Sequence, residues 1–238
     1  MCSVFRLKLS SVWAESGRRK LRRENVLKLS FIGMSGAGKS YWAQKLSAAG
    51  FRVIGIDDRI EQKIAPELAS AGVPGGIGGV AAWMGWPDQT SYREHEKKYL
   101  ECEVRSMNEA LDEIQASAGA GIILDTTGSV VYTGEEICRR MQLLTTVVYL
   151  EASATEEELL IARYLSDPKP VLWGNQFAPQ PGESAQETVA RCYPRLIAHR
   201  KKQYERYAHR ILSMNSLRSA ELDARGLLEL IEGQARPA

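Results

Sequence analysis

The chain has 238 residues, 44% apolar and 25% charged, a balance that suits a soluble globular protein with a core large enough to need no staples. Its net charge of +2 gives no global pull toward nucleic acid or an anionic membrane, and no apolar run reaches membrane-spanning length. Four scattered cysteines, Cys2, Cys102, Cys138 and Cys192, have neither metal-ligand nor redox spacing, which predicts free thiols in a reducing, cytoplasmic setting.

Residues 1–25 stand apart. They are poor in acids and carry the basic run Arg18–Arg23. A disordered tail or an over-extended start accounts for them better than an organelle transit peptide, because the sharp marks of a targeting signal are lacking. From residue 26 onward short apolar runs alternate with longer amphipathic ones, the pattern of βαβ units around a parallel sheet, and a single domain over 26–238 is expected. Strands are predicted at Val26–Ile32, Arg52–Ile56, Gly121–Leu124, Thr145–Leu150 and Arg210–Ser213. A first helix spans Lys39–Ala49 and stops before Gly50. Ser91 and Glu94 form a capping box that opens a helix with an apolar stripe at Leu100, Val104, Met107, Leu111 and Ile114. Thr155 and Glu158 form a second box, opening a helix that runs to about Leu165. Ala65–Gln89, with its paired glycines, is expected to be irregular. So is the Pro- and Gly-rich stretch 166–184, whose length suits a lid.

Between the first strand and first helix lies Gly33-Met34-Ser35-Gly36-Ala37-Gly38-Lys39-Ser40, the spacing G-x-x-x-x-G-K-S. Glycines there let backbone N–H groups turn inward as an anion nest, and the helix N-terminus adds partial positive charge. This is the loop that cradles nucleotide phosphates, here from Gly33 through Ser35, Gly36, Ala37, Gly38 and Lys39 to Ser40, with Tyr41 beside it. Lys39 reaches the terminal phosphates and Ser40 holds Mg²⁺. ATP and Mg²⁺ are the cofactors implied. A second metal ligand is expected from Asp125, which closes the apolar strand Gly121–Leu124, although a strand-end aspartate also serves turns.

Two arginines are oddly placed. Arg93 is in the first turn of its helix, where a cation opposes the helix dipole, and it falls in line with the apolar stripe, seven residues before Leu100. Arg200 is four residues from both Leu196 and Tyr204 on an otherwise buried face. A paired or snorkelling arginine explains either one alone. Together, in a phosphate-loop protein, they suit an anionic acceptor.

These residues resemble shikimate kinase, and the resemblance runs from about Val26 to Ser213. It implies a doubly wound, parallel five-stranded P-loop sheet of order 2-3-1-4-5 with a lid, and phosphoryl transfer from ATP to a hydroxyl of a small carboxylated acceptor. It also implies a role in aromatic amino acid biosynthesis, with no nucleic-acid or membrane partner and a monomeric state. Asp57-Asp58-Arg59-Ile60-Glu61 places Asp57 as the acceptor-binding aspartate. Tyr92-Arg93-Glu94-His95-Glu96 places Arg93, and Arg200-Lys201-Lys202-Gln203-Tyr204 places Arg200, as carboxylate ligands. Arg163 resembles the family's arginine before the lid, a nucleotide contact. Lys169-Pro170-Val171-Leu172 resembles the lid signature Arg-Pro-Leu-Leu, with Lys169 meeting the phosphates.

The chain also departs from the pattern. Gly55 replaces the family's first aspartate, Thr126 and Thr127 replace two of the three glycines that line the acceptor site, Gly128 keeping the third, and Lys169 replaces an arginine. Lysine keeps charge but loses the planar fork. Two alternatives therefore stay open: a P-loop kinase for another small acceptor, such as a sugar acid or nucleotide, and an ATP-binding regulatory module without transfer.

Overall fold

The computed structural model describes residues 27–119, 121–167, 169–219 and 222–233. The basic N-terminal tail lies outside them. Five strands, β1 (Lys28–Ile32), β2 (Arg52–Gly55), β3 (Ile122–Asp125), β4 (Thr146–Glu151) and β5 (Arg210–Ser213), form one all-parallel sheet of order β2-β3-β1-β4-β5. The sheet is covered by helices. The central strands are therefore buried nearly throughout, which is why they read as continuous apolar runs and not as alternating ones.

The helices are α1 (Lys39–Ala48), α2 (Ile56–Ser70), α3 (Ile77–Met84), α4 (Tyr92–Ala116), α5 (Glu135–Leu144), α6 (Ala154–Ser166), α7 (Ala185–Tyr207), α8 (Met214–Ser219) and α9 (Ala224–Gly233). Helix α1 packs on β1, β2 and β3, and α2 and α4 pack together. Because β3 lies between β1 and β2, Asp125 aligns with both Phe31 and Gly55. The C-terminal strand ends thus converge beside the loop that follows β1, where open parallel sheets bind ligands.

The structure corrects three local expectations. The stretch Ala65–Gln89 is largely helical. Helix α2 runs on through Pro66 to Ser70, because the stripe Ile56, Ile60, Ile64 and Leu68 is buried and outweighs one lost backbone bond. Helix α3 buries Val80, Trp83 and Met84. Ser91 is no N-cap: it already has helical dihedrals and makes no capping bond. The box that opens α6 is Ser153 with Glu156, not Thr155 with Glu158. Ser153 is extended, and its N–H donates to Glu156 Oε2 at 2.8 Å.

Candidate active site

The turn Gly33–Ser40 is fixed by close backbone packing. Gly33 has φ +140°, and a Cβ there would sit 2.8 Å from the Leu150 carbonyl oxygen of β4. The Lys39 side chain folds back into the turn, where its ammonium donates to the carbonyls of Gly33 (2.9 Å) and Met34 (3.0 Å). Burial lowers the Lys39 pKa, and the nearby carboxylates of Asp125 and Asp57 partly offset that effect. A buried cation held by two carbonyls and facing two carboxylates is poised for anionic oxygens.

Asp125 and Asp57 complete this charge cluster. Asp125 accepts a bond from the Ser40 hydroxyl, while its buried Oδ1 has no hydrogen-bond partner among the described residues. Burial raises its pKa against the pull of Lys39. An orphaned carboxylate oxygen beside a serine hydroxyl at the phosphate loop suits a Mg²⁺ ion, which takes oxygen ligands and retains water. Asp57, in the first turn of α2, also has its pKa raised by burial and lowered by Lys39, and it receives the Tyr99 hydroxyl at 3.4 Å. At Gly55, the position of the missing aspartate, a Cβ would lie 2.9 Å from Asp58 Oδ2. The Asp58 carboxylate thus occupies the space a side chain at 55 would enter.

Two adjoining cavities, of about 250 and 320 Å³, open beside the loop. The first is lined by Ser35, Gly36, Gly38, Lys39, Ser40 and Tyr41 on one side, and by Asp57, Tyr99, Thr127, Gly128 and Lys169 on the other. The structure therefore gathers most of the expected residues around one space. Lys169 reaches it while also pairing with Asp167 at 2.8 Å. Ala37 faces a third cavity of about 620 Å³ on the far side of Gly38 and Tyr41, together with Trp42, Lys45, Met214, Leu217 and Arg218. Arg163 is exposed on α6 and lines none of the three. The arginine that faces the loop's outer side is Arg218, held by Glu156 at 3.1 Å. It comes from the short helix after β5, which no apolar period announces.

The two acceptor arginines are not arranged as expected. Arg93 was placed at a core-facing edge, but its side chain is 61% exposed and lines neither cavity. The predicted stripe holds for Met107, Leu111 and Ile114, which are buried, but toward the N-terminus of α4 the buried face runs through Tyr92, Tyr99, Cys102 and Glu103 and leaves Arg93 outside it. Leu100 and Val104 lie at its rim. Arg93 instead donates to the Gly174 carbonyl at 2.9 Å. Arg200 is 1% exposed, lies under Gly128, and donates to the Leu172 carbonyl at 2.7 Å, with the Tyr132 ring 5.1 Å away. Its Nε has no hydrogen-bond partner, and no carboxylate of the described residues comes within ion-pair distance.

Both arginines therefore bind backbone of the segment Val171–Gly174. The same segment is held by Glu96, whose Oε1 accepts the amides of Trp173 (2.6 Å) and Gly174 (2.9 Å), and by the Tyr92 hydroxyl on the Val171 carbonyl (2.6 Å). Trp173 is fully buried against Tyr164, Phe177 and Tyr193, and its indole N–H donates to the Tyr164 hydroxyl at 3.2 Å. Removing such a side chain typically costs about 3–5 kcal/mol. This part of the expected lid is anchored into the core.

Sequence reasoning also missed the polar floor of the site. Glu103 is fully buried on α4 and accepts hydroxyl bonds from Thr127 and from Ser129 (2.8 Å), which fixes the turn after β3. Burial pushes its pKa up to about 7, with the two hydroxyls pulling the other way. Thr126 turns inward and donates to the Phe31 carbonyl at 2.6 Å. The available signal was the spacing of Tyr92, Tyr99 and Glu103, seven and four residues apart on one helical face.

Known structures share this architecture. Shikimate kinase from Acinetobacter baumannii in complex with shikimate superposes with a TM-score of 0.58 at 19% identity, over 90% of this chain and 96% of that one. The fold is that of shikimate kinases. At this identity the chain fits a divergent member of that fold group. Shikimate kinases from Bacteroides thetaiotaomicron (TM-score 0.49, 16% identity, 87% of this chain and 94% of that one) and Aquifex aeolicus (0.47, 12%, 87% and 92%) are also similar. No protein-family model matches the sequence, and no curated protein matches it significantly. No helix among the described residues is long and apolar enough to cross a membrane.

Proposed function

We propose that this protein is an ATP-dependent phosphotransferase that moves the γ-phosphoryl group to a hydroxyl of a small acceptor. The observation that carries this reading is one charge cluster beside an anion-binding turn: Lys39, Ser40 and Asp57 line one cavity, and Asp125 is bonded to Ser40 and coupled to Lys39. Phosphoryl transfer needs little covalent chemistry from a protein. It needs positioning and charge neutralisation. Here the loop amides and Lys39 neutralise the phosphate oxygens. Asp57 orients the acceptor hydroxyl and can take its proton, since burial raises its basicity. Lys169 approaches from the opposite wall and helps exclude water, the competing acceptor.

Ser40 and Asp125 would hold Mg²⁺, which shields phosphate charge when bound. Asp125→Asn keeps shape and turn hydrogen bonding but removes the charge. We expect it to raise the Mg²⁺ needed for half-maximal activity by at least about tenfold, the worth of one charge-assisted contact. A parallel titration of Mg²⁺ binding to the nucleotide complex, read by calorimetry, should shift likewise. An unchanged Mg²⁺ dependence would move the metal to Asp57 or Asp58.

The reading as a whole is tested by ADP release from the full chain with ATP, Mg²⁺ and candidate acceptors. Shikimate is the reference acceptor, since the chain shares the fold of shikimate kinases and keeps Asp57 and Arg200. Sugar acids, polyols and nucleosides follow. ATP binding without acceptor-stimulated ADP release would leave a regulatory ATP-binding module instead.

A further inference from the structure

We propose that the acceptor carries no carboxylate: it is a neutral or amine-bearing polyol, selected because the chain's own backbone occupies the two arginines that would clamp an acid. This rests on the phosphotransferase reading above and narrows its substrate class.

Arg93 and Arg200 are the cations expected to receive a carboxylate. Each instead donates to a main-chain oxygen of one short segment, Arg200 to Leu172 and Arg93 to Gly174. The segment is not loosely placed. Glu96 holds two of its amides, Tyr92 holds the Val171 carbonyl, and Trp173 is sunk among aromatic rings. Arg200 is 1% exposed and its Nη2 is taken by the Leu172 carbonyl, so an acid that used that nitrogen would have to displace Leu172 and, with it, the buried indole. A charged ligand would have to overcome a packed core residue to gain one bidentate contact.

What remains open points the same way. The cations lining the two adjoining cavities are Lys39 and Lys169, and both line only the first of them. The second cavity is walled by Asp57, Asp58 and Glu61, with no lysine or arginine among its lining residues. Glu61 spends one oxygen on the Gly76 amide at 2.6 Å, whereas Asp58 makes no hydrogen bond or ion pair among the described residues. Carboxylates accept hydrogen bonds from hydroxyls and ammonium groups, and they repel another carboxylate. Tyr99 lines both cavities, and Thr127 and Gly128 line the first. The cavity is thus built for donors.

The test compares matched acceptors that differ in one group: gluconate, glucitol and glucamine, and separately shikimate with its methyl ester. ADP release by the full chain is measured with ATP and Mg²⁺. We expect kcat/KM for the neutral or amine member to exceed that of its acid partner by about tenfold or more, and Asp58→Asn to reduce the preference for glucamine over glucitol. A tenfold preference for either acid overturns the proposal while leaving the phosphotransferase reading standing. If no member stimulates ADP release, the phosphotransferase reading itself falls. The second arm does not depend on turnover. Hydrogen exchange at the Trp173 and Gly174 amides is followed with a non-hydrolysable ATP analogue and saturating shikimate or gluconate. Unchanged protection is expected; exchange accelerated tenfold or more would mean that an acid displaces the segment from its arginines, and would overturn the proposal.

Discussion

Lys39→Met is expected to lower acceptor-stimulated ADP release by at least about 1,000-fold, the upper range for removing one donor to developing charge, while the protein still melts cooperatively. The ammonium is the charge nearest the bend of the phosphate loop, and nothing else in the cavity can replace it: Lys169 reaches the cavity from the opposite wall and is engaged with Asp167. Its effect on the fold is the resultant of opposing terms. The substitution leaves the Gly33 and Met34 carbonyls without their side-chain donor, which costs about 1–3 kcal/mol for each if no water replaces it. It also removes a buried cation whose lowered pKa reports a desolvation penalty, and methionine fills the same volume without it. The residual carboxylates Asp57 and Asp125 then lose a neighbouring charge and become harder to ionise. Near-normal turnover in this variant would remove Lys39 from the chemistry. A loss of turnover accompanied by loss of the cooperative transition would show the lysine to be chiefly structural, and thermal melting separates the two.

The strand positions were legible because buried parallel strands have a simple signature, the sheet order only through the resemblance to shikimate kinase, and the phosphate loop because its glycines and lysine are a local pattern set between a strand and a helix. The positions of Asp57 and Asp125 were legible for a related reason: Asp125 closes β3, the neighbour of β1, and Asp57 comes just after β2, the next strand out. What the sequence hid is tertiary. Whether Arg93 faces the core depends on which face the N-terminal half of α4 buries, the one through Tyr92 and Tyr99 or the one through Arg93 and Leu100. Both look apolar, and only the packing of α4 against α2 and α5 decides it. The role of Val171–Gly174 was equally hidden, since a Pro- and Gly-rich stretch reads as a lid whether or not a tryptophan within it finds a socket among Tyr164, Phe177 and Tyr193. Arg218 came from the short helix after β5, where the chain is close to the loop in space and remote in sequence. Glu103 was invisible because a glutamate on an amphipathic helix is ordinarily solvated, and the hydroxyls that satisfy it lie 24 and 26 residues away.

That buried glutamate gives the molecule a pH dependence with a definite sign. Burial raises the folded-state pKa of Glu103 from 4.5 to about 7, and the bonds from Thr127 and Ser129 offset only part of the effect. A carboxyl whose folded pKa lies above its unfolded value binds its proton more tightly when folded. Its contribution to stability is fully present below about pH 4.5 and is lost as pH rises through about 7. Glu103→Gln keeps the shape, stays neutral, and offers N–H donors to the same two hydroxyl oxygens. The difference in unfolding free energy between wild type and variant should therefore move in favour of the variant by roughly 3 kcal/mol between pH 4.5 and pH 8, because each pKa unit is worth about 1.4 kcal/mol. Asp57 and Asp125 also have raised pKa values, but they titrate in both proteins and largely cancel in the difference. Urea unfolding of both proteins at the two pH values measures it directly. A difference that does not change with pH would mean that Glu103 keeps one protonation state throughout. Turnover offers an independent check, because Glu103 fixes Thr127 and Thr127 lines the cavity. If the glutamate acts through that turn, Glu103→Gln should change the KM for the acceptor more than the KM for ATP, and Thr127→Val, which removes the hydroxyl that Glu103 holds, should reproduce the same asymmetry.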